Sequence, residues 1–350
     1  MFVALRDLRF AKGRFALMGA VIVLITLLVG LLSGLTAGLG RQNVSAITDL
    51  PVDRIAFADG QDVSFSDSTV TDAQVRRWAA APGVLSAEPL GITTTKATAG
   101  SRTAPVALFG VRPGSTLVQE VAVDDRSVAL STTAAEDLGL ATGDTVTIAG
   151  RELTVTAVRG DASFSHVPVG WTGLATWQHV SGTAATVIAL RTAAVDVAAT
   201  DAAAGTRTLT KDDSVSAIGS YSSENGSLQL VRGFLFAISA LVVGAFFTVW
   251  TIQRGGDIAV LKALGAPTSA LLRDALGQAL VLLVAGTLVG TALAATAGAL
   301  LAGGSVPFRL DPATVLTPAA ATVLLGALGA ALAVRRVTTV DPLTALGSVR

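Results

Sequence analysis

Four long apolar segments that contain no Asp, Glu, Lys or Arg constrain this chain more than any other feature. They occupy residues 15–39, 233–252, 275–301 and 313–334. A helix needs about 20 mostly apolar residues to cross a hydrocarbon core of about 30 Å, and it satisfies its own backbone hydrogen bonds there. The sequence therefore predicts a membrane α-helical protein with four transmembrane helices.

Positive charges beside these segments predict the orientation of the chain. Lys and Arg accumulate at the cytoplasmic ends of membrane helices. Such residues precede the first segment, separate the second from the third, and follow the fourth: Arg6, Arg9, Lys12, Arg14, Arg254, Lys262, Arg273, Arg335, Arg336 and Arg350. We therefore expect both termini in the cytoplasm and the protein in a bacterial plasma membrane.

The spans and their flanks predict the organisation of the whole chain. The four spans are residues 15–41, 231–252, 275–301 and 313–334. The cytoplasmic parts are an amphipathic helix at 1–14, a coupling loop at 253–274 and a tail at 335–350. The external parts are a large domain at 42–230, inserted between helices 1 and 2, and a short loop at 302–312.

Mixed helix and strand signals predict an α+β fold for the extracellular domain. Thr71 is a candidate N-cap, Val75 and Trp78 follow at helical spacing, and Pro82-Gly83 ends that helix. Runs rich in β-branched residues and bounded by Gly, Pro or Asp predict strands. The predicted strands are residues 52–58, 85–95, 106–111, 145–148, 153–158 and 185–190. The strands at 145–148 and 153–158 form a hairpin across Ala149-Gly150-Arg151.

Composition argues against a catalytic or metal centre. The chain has no cysteine, and its only histidines, His166 and His179, lie in the external domain, so no metal site is predicted. The formal net charge of zero gives no long-range attraction for nucleic acid. The chain lacks the phosphate-binding pattern G-x-x-x-x-G-K-[ST]. We therefore predict no enzyme activity, and any ATP must be bound by a partner.

The cytoplasmic loop between spans two and three has the pattern of a docking helix. Asp257 follows two glycines and can cap a helix that runs to Leu264 and ends at Gly265, and Pro267 starts the next helix. Ile258 and Leu261 lie on the apolar side of that helix together with Leu264. An apolar face in the cytoplasm predicts a protein partner.

The same loop resembles a known family. The sequence QRGGDIAVLKALGAP is similar to the signature R-x-x-E-I-x-x-L-K-A-L-G-A of the FtsX/MacB-type permeases of ABC transporters. The main departure is Asp257, where Glu is usual. The N-terminal ALRDLRFAKGR, the external LGLATGDTV and the tail VDPLTALGSVR also resemble that family, so the resemblance extends over the whole chain.

The resemblance implies partners and a mechanism. In this family two four-span permeases form a homodimer, and two copies of an ABC ATPase subunit dock on the loop between spans two and three. ATP then drives a scissor-like motion called mechanotransmission. The residues that the resemblance assigns to ATPase coupling are Asp257, Ile258, Leu261, Lys262, Leu264 and Gly265.

Within the family, the compact form with one external domain most resembles the Hrt-type haem-exporting permeases of Gram-positive bacteria. Haem requires an apolar slot, a cation for its propionates and an axial ligand such as His, Met or Tyr. Tyr221, Arg232 and Met18 are the candidates near membrane depth. Two alternatives remain open: a permease for a lipid, peptide or antibiotic, and a regulator of an extracellular cell-wall hydrolase.

Glycine pairs four residues apart predict close helix packing. They are Gly30 with Gly34 and Gly34 with Gly38 in the first span, and Gly286 with Gly290 in the third. The pattern is compatible with contacts between two subunits and with packing inside one subunit.

Overall fold

The structure is a computed structural model that describes residues 12–60, 62–118, 121–253, 265, 267–301, 306–309 and 311–338. The chain forms two compact units. The external unit is Leu39–Gly226, and the membrane unit combines Met1–Gly38 with Ser227–Arg350. The predicted coupling helix, most of the N-terminal amphipathic helix and most of the tail lie outside the described residues.

The helices and the strands are each numbered in chain order. The helices are α1 Lys12–Thr48, α2 Asp72–Ala79, α3 Thr132–Leu138, α4 Leu174–Ser181, α5 Val197–Ala204, α6 Lys211–Ser214, α7 Gly219–Gln253, α8 Thr268–Leu301 and α9 Pro312–Thr338. The strands are β1 Arg54–Ala58, β2 Val84–Ala99, β3 Arg102–Val111, β4 Ser127–Leu130, β5 Thr145–Ile148, β6 Arg151–Val158, β7 Ser163–Phe164, β8 Val167–Gly173, β9 Val187–Thr192 and β10 Thr206–Thr210.

Among the described residues, four helices are long and apolar enough to cross a membrane. Their candidate spans are Ala16–Thr48, Gly219–Phe246, Arg273–Leu301 and Pro312–Leu332. They confirm the predicted fold class, with the α/β external domain between helix 1 and the later helices. Helices α1 and α7 extend beyond the predicted spans, because the polar residues that flank each apolar segment also adopt helical geometry.

Glycines bring α1 and α8 into close contact within one chain. A Cβ atom added at Gly290 would lie 2.7 Å from both the Val23 carbonyl oxygen and the Thr26 Cβ. A Cβ at Gly286 would meet Ile22 at 2.7 Å, and one at Gly30 would meet Ala294 at 2.8 Å. These glycines therefore pack helices inside one subunit, which is one of the two roles that the sequence left open.

The other two paired glycines of the first span, Gly34 and Gly38, contact the connection between α8 and α9. A Cβ at Gly34 would lie 2.4 Å from the Phe308 ring, and one at Gly38 would lie 2.0 Å from the Pro307 carbonyl oxygen. The Arg309 amide donates a hydrogen bond of 3.1 Å to the Gly34 carbonyl oxygen. Only the absence of side chains at these two positions lets the connection lie against α1.

The strands of the external unit form a sheet that partly closes on itself. Their order is β10-β1-β9-β2-β3-β8-β4-β6-β5, with β7 paired to β8. Strand β5 also pairs with β2, through Ala97↔Ile148 and Thr98↔Thr147. The long β2 therefore belongs to two arrays: its first half pairs with β9, and its second half joins the closed set.

Buried aliphatic and aromatic side chains fill the external unit. One cluster contains Phe57, Phe65, Phe109 and Phe164, whose neighbouring rings meet edge to face at centroid distances of 4.9–5.8 Å. A second cluster lies inside the closed set and includes Trp177 of α4, whose ring covers Gly91 and Gly110. A third lies under α2 and contains Val75 and Trp78.

Most local predictions for the external domain correspond to observed elements. Strand β5 has the predicted bounds, and the hairpin to β6 turns at Ala149 and Gly150, both with positive φ. Strands β8 and β10 and helices α4 and α5 were not predicted. Strand β8 contains Pro168 and two glycines, which weaken the strand pattern.

Candidate substrate cavity

A cavity of about 440 Å³ lies among α1, α7 and α9 in the membrane unit. Its lining comes from the outer part of α1, the middle of α7 and the first turns of α9. The lining residues are Ser33, Ala37, Arg232, Phe236, Ala313, Thr314, Thr317, Pro318 and Ala321. Cavities of this size hold small ligands.

Arg232 is the charged residue in this lining. Its side chain is half-buried, and it forms no hydrogen bond or ion pair with any residue that the structure describes. It lies within the candidate span Gly219–Phe246. The span predicted from the sequence begins at residue 231, so Arg232 lies at the predicted membrane edge, where an arginine that lines a cavity is a candidate binding residue. Arg232 therefore offers unused donors to an anionic group.

Pro318 adds a backbone acceptor to the same wall. A proline inside a helix has no N–H, so the carbonyl oxygen four residues earlier, that of Thr314, loses its helical donor. The Ser33 hydroxyl also has no hydrogen bond partner among the described residues, although Ser33 is buried. The remaining lining residues are mainly apolar. The cavity thus matches an amphipathic anion, with one face for an apolar body and Arg232 for the charge.

The three predicted haem-contacting residues have different surroundings. Arg232 lines the cavity, whereas Met18 is packed among Ile22, Val243 and Leu283 with 6% of its surface exposed. Met18 and Ser33 lie 15 positions apart on α1, about 22 Å along the helix axis. The structure therefore does not place the Met18 thioether in this cavity.

Tyr221 lies in the first turn of α7 and belongs to the external unit. Its ring is partly buried and packs against the aromatic cluster of that unit. Its role as a haem ligand stays a prediction.

The predicted ATPase-coupling residues are described only at their end. Asp257, Ile258, Leu261, Lys262 and Leu264 lie outside the described residues. Gly265 has φ of +89°, the left-handed geometry expected of a glycine that ends a helix. Helix α8 begins at Thr268, directly after Pro267. These assignments also stay predictions.

The other cavity residues were not predicted from the sequence. Ser33, Phe236 and Thr314 come from three helices that are far apart in the chain. The one local signal was Pro318, because a proline within a charge-free helix marks a break in its hydrogen bonding.

Two family models match the chain. The model described as "MacB-like periplasmic core domain" matches residues 15–208, more than half of the chain. The model described as "FtsX-like permease C-terminal" matches residues 230–342.

Full-length relatives agree with these matches. A protein of Staphylococcus epidermidis with the name hemin transport system permease protein HrtB is 24% identical over 362 residues, which cover 99% of each chain. A second, from Staphylococcus haemolyticus and with the same name, is 24% identical and covers 100% of both chains. An ABC transporter permease of Mycobacterium tuberculosis, whose name specifies no substrate, is 27% identical over 364 residues and covers 99% of each.

Two solved structures resemble the external part. The extracellular domain of the noncanonic ABC-type transporter YknZ from Gram-positive bacteria has a TM-score of 0.35 and 15% identity, over 45% of this chain and 99% of that one. The periplasmic region of MacB from Actinobacillus actinomycetemcomitans has a TM-score of 0.38 and 13% identity, over 48% of this chain and 92% of that one.

Proposed function

Since this chain belongs to the FtsX/MacB family of ABC transporter permeases, we propose that it is the permease subunit of an efflux pump that expels haem from the membrane. ATP-driven mechanotransmission supplies the work. A separate ABC ATPase, present in two copies, binds the ATP, and two permeases form a homodimer. Both termini lie in the cytoplasm.

The observation that supports haem as substrate is Arg232 on the wall of an otherwise mainly apolar cavity. The porphyrin body is apolar and gains free energy when it leaves water. Its propionates are anionic and match a guanidinium, which donates up to five hydrogen bonds. The names of the staphylococcal relatives point to the same cargo. The mycobacterial relatives are comparably similar and carry no substrate in their names.

Haemin titration of the purified full-length protein, followed by the Soret band, tests this proposal. We expect Arg232→Gln to weaken binding by roughly 10- to 100-fold, the loss expected for a charge-assisted hydrogen bond. Arg232→Lys should retain most of the affinity. Arg273→Gln, which removes an exposed arginine from the first turns of α8, is the matched control and should bind haemin normally.

Three outcomes distinguish haem export from the two alternative functions. Haemin binding that is absent from the unmodified protein removes the haem assignment and leaves the permease assignment intact. Binding of a lipid, peptide or antibiotic that depends on Arg232 identifies another hydrophobic substrate. Recruitment of a cell-wall hydrolase to the external unit, without any bound solute, supports a regulator instead.

The axial ligand requires a separate measurement. Tyr221→Phe and Met18→Leu each remove one candidate donor while preserving volume, and a response to Met18→Leu would place haem outside the cavity that Arg232 lines. We expect the variant that loses the ligand to shift the Soret band more than it weakens binding, because burial of the porphyrin supplies most of the affinity. If neither variant changes the spectrum, neither residue is the ligand.

The coupling loop predicts how the ATPase binds. Leu261→Asp introduces a charge into the proposed docking face, where an unpaired charge is strongly unfavourable. We expect the variant to lose co-purification with the ATPase and to lose substrate-stimulated ATP hydrolysis, while haemin binding remains. Normal coupling in this variant would contradict the assignment of Asp257, Ile258, Lys262, Leu264 and Gly265 as its neighbours in the interface.

A further inference from the structure

A polar cluster in the external unit joins three parts of the chain that are distant in sequence. It combines the outer end of α1, the turn between β7 and β8, and the first turns of α7. We call it the hairpin cluster, and its members are Asn43, Ser45, Ser165, His166, Ser220 and Glu224.

Glu224 is the common acceptor in this cluster. His166 Nε2 lies 2.8 Å from Glu224 Oε2, and Asn43 Nδ2 lies 3.3 Å from the same oxygen. A carboxylate only accepts, so both nitrogens donate to it. The 3.1 Å contact between Asn43 Nδ2 and His166 Nε2 is therefore the approach of two donors that share one oxygen.

The hydroxyl groups extend this network with one consistent direction. Ser220 Oγ donates to Asn43 Oδ1 at 2.8 Å. Ser165 Oγ lies 2.8 Å from Ser220 Oγ. Because the single hydroxyl proton of Ser220 is already used, Ser165 is the donor in that pair. Each of the three chain segments is thereby connected to the other two.

Strand β7 is attached to α1 by its backbone and by Ser45. The Ser163 amide donates to Ser45 Oγ at 2.9 Å, and Ser45 Oγ donates to the Ser163 carbonyl oxygen at 3.2 Å. Ser45 is 0% exposed and Asn43 is 1% exposed. Glu224 is exposed, so the buried part of the cluster is formed by Ser45 and Asn43, whose hydrogen bonds favour one rigid arrangement.

The turn itself has a backbone conformation that is uncommon for residues other than glycine. Ser165 and His166 have φ of 51° and 64°, the left-handed region in which two-residue hairpins usually place Asn and Gly. Their amides donate to the Asn43 and Gln42 carbonyl oxygens at 2.9 and 3.1 Å. Contacts with α1 therefore stabilise a strained turn, as is common at functional positions.

The cluster is placed where two membrane-crossing helices meet the sheet. Helices α1 and α7 both continue from the membrane unit into the external unit. The turn leads into β8, which pairs with β3 on one side and β4 on the other. The turn is thus connected through β8 to the middle of the closed set of strands.

We propose that the hairpin cluster is a rigid joint that fixes the outer ends of α1 and α7 to the external sheet and stays closed while the helices move. Its members are positioning residues. A test of this joint by haem export rests on the proposed function, whereas a test by hydrogen exchange does not.

Hydrogen exchange on the full-length protein in nanodiscs tests the joint without transport. We expect His166→Ala and Glu224→Gln to speed exchange about tenfold at the amides of Ser165 and His166, the effect of losing one hydrogen bond. Exchange at residues 42–48 and 219–224 should rise in parallel, and β3 and β4 should not change. His179→Ala, at the chain's other histidine, is the control, because His179 is exposed on α4.

A reversible covalent lock gives the second measurement. The chain has no cysteine, so Ser165→Cys with Ser220→Cys introduces a single possible disulfide between the turn and α7. In the His166→Ala background we expect oxidation to restore slow exchange, together with ATP-driven haem export, and reduction to abolish both again.

Two results would contradict the proposal that the hairpin cluster is a rigid joint. Faster exchange confined to the turn, with both helix ends unchanged, would show that the cluster does not hold them. Export that is blocked by oxidation and restored by reduction would show that the cluster must open. If the unmodified pump exports no haem, the proposed function fails, and the exchange measurements still decide on the joint.

Discussion

Thr71 shows how a single side chain can fix the start of a helix. Its hydroxyl accepts from the Gln74 amide at 3.3 Å, and the Gln74 side chain accepts from the Thr71 amide at 2.8 Å. This reciprocal pair is a capping box. It begins α2, which buries Val75 and Trp78 against the sheet.

We predict that Thr71→Ala destabilises the external unit by about 1 kcal/mol, the usual contribution of an N-cap. Hydrogen exchange at the amides of α2 in the full-length protein measures this loss, and Thr71→Ser is the control because it retains the hydroxyl. Unchanged exchange in Thr71→Ala would show that tertiary contacts alone hold this end of the helix.

Sequence reasoning succeeded where the signal was local. The Thr71 cap and its two buried residues lie within one short segment, so spacing alone predicted them. The contact between His166 and Glu224 had no such signal, because it depends on how the sheet returns the β7–β8 turn to α1 and α7. Arg232 was recognised as a candidate, but the part played by α9, which supplies more than half of the lining residues, was not.

At the scale of elements, close packing of α1 on α8 depends on a missing side chain. Gly290 lies against the Val23 carbonyl oxygen, which is backbone and cannot rotate away. Gly277, on the same helix, has nothing within 4 Å of the position of a Cβ. The two glycines therefore provide a matched comparison.

We predict that Gly290→Ala separates the two helices and destabilises the membrane unit by about 1–3 kcal/mol, the range for an overpacked contact. Gly277→Ala should be neutral or slightly stabilising, because alanine is the better helix former. Thermal unfolding of the detergent-solubilised protein measures both. Equal stability of the two variants would contradict the close packing.

The extent of each helix shows what hydropathy can and cannot predict. The apolar segments identified all four candidate spans, because a charge-free run of this length has few other uses. They did not predict the helical ends at Thr48 and Gly219. Hydropathy predicts the limits of the apolar segment. The ends of the helix depend instead on caps and tertiary contacts, which hydropathy does not measure.

At the scale of the whole molecule, the exposed apolar surface of the described membrane helices is built from large side chains. The glycine pairs of the first and third spans are covered within one chain. On α7, exposed residues recur at helical spacing and form one stripe, which we call the α7 stripe: Leu230, Phe234, Ile238 and Leu241. Exposed leucines also lie on α1, α8 and α9, and among these surfaces we expect the α7 stripe to contact the second subunit.

We predict a homodimer with eight spans that meets along the α7 stripe. Because the chain has no cysteine, Ile238→Cys should form a disulfide-linked dimer on oxidation, and Leu328→Cys, equally exposed on α9, should not. Mass measurement in nanodiscs checks the subunit count independently. A stable monomer that is active with its ATPase would rule out the dimer, and cross-linking only at Leu328 would move its surface to α9.

The uninterrupted course of α1 has a mechanical consequence. The helix has 37 residues. At 1.5 Å per residue it is about 55 Å long, nearly twice the thickness of the hydrocarbon core. Tilting a rod of that length by about 10° displaces its far end by about 10 Å, several times the width of a hydrogen bond. If the proposed ATPase tilts this helix at one end, the geometry of the helix alone turns a small angle into a displacement of several ångströms at the other end.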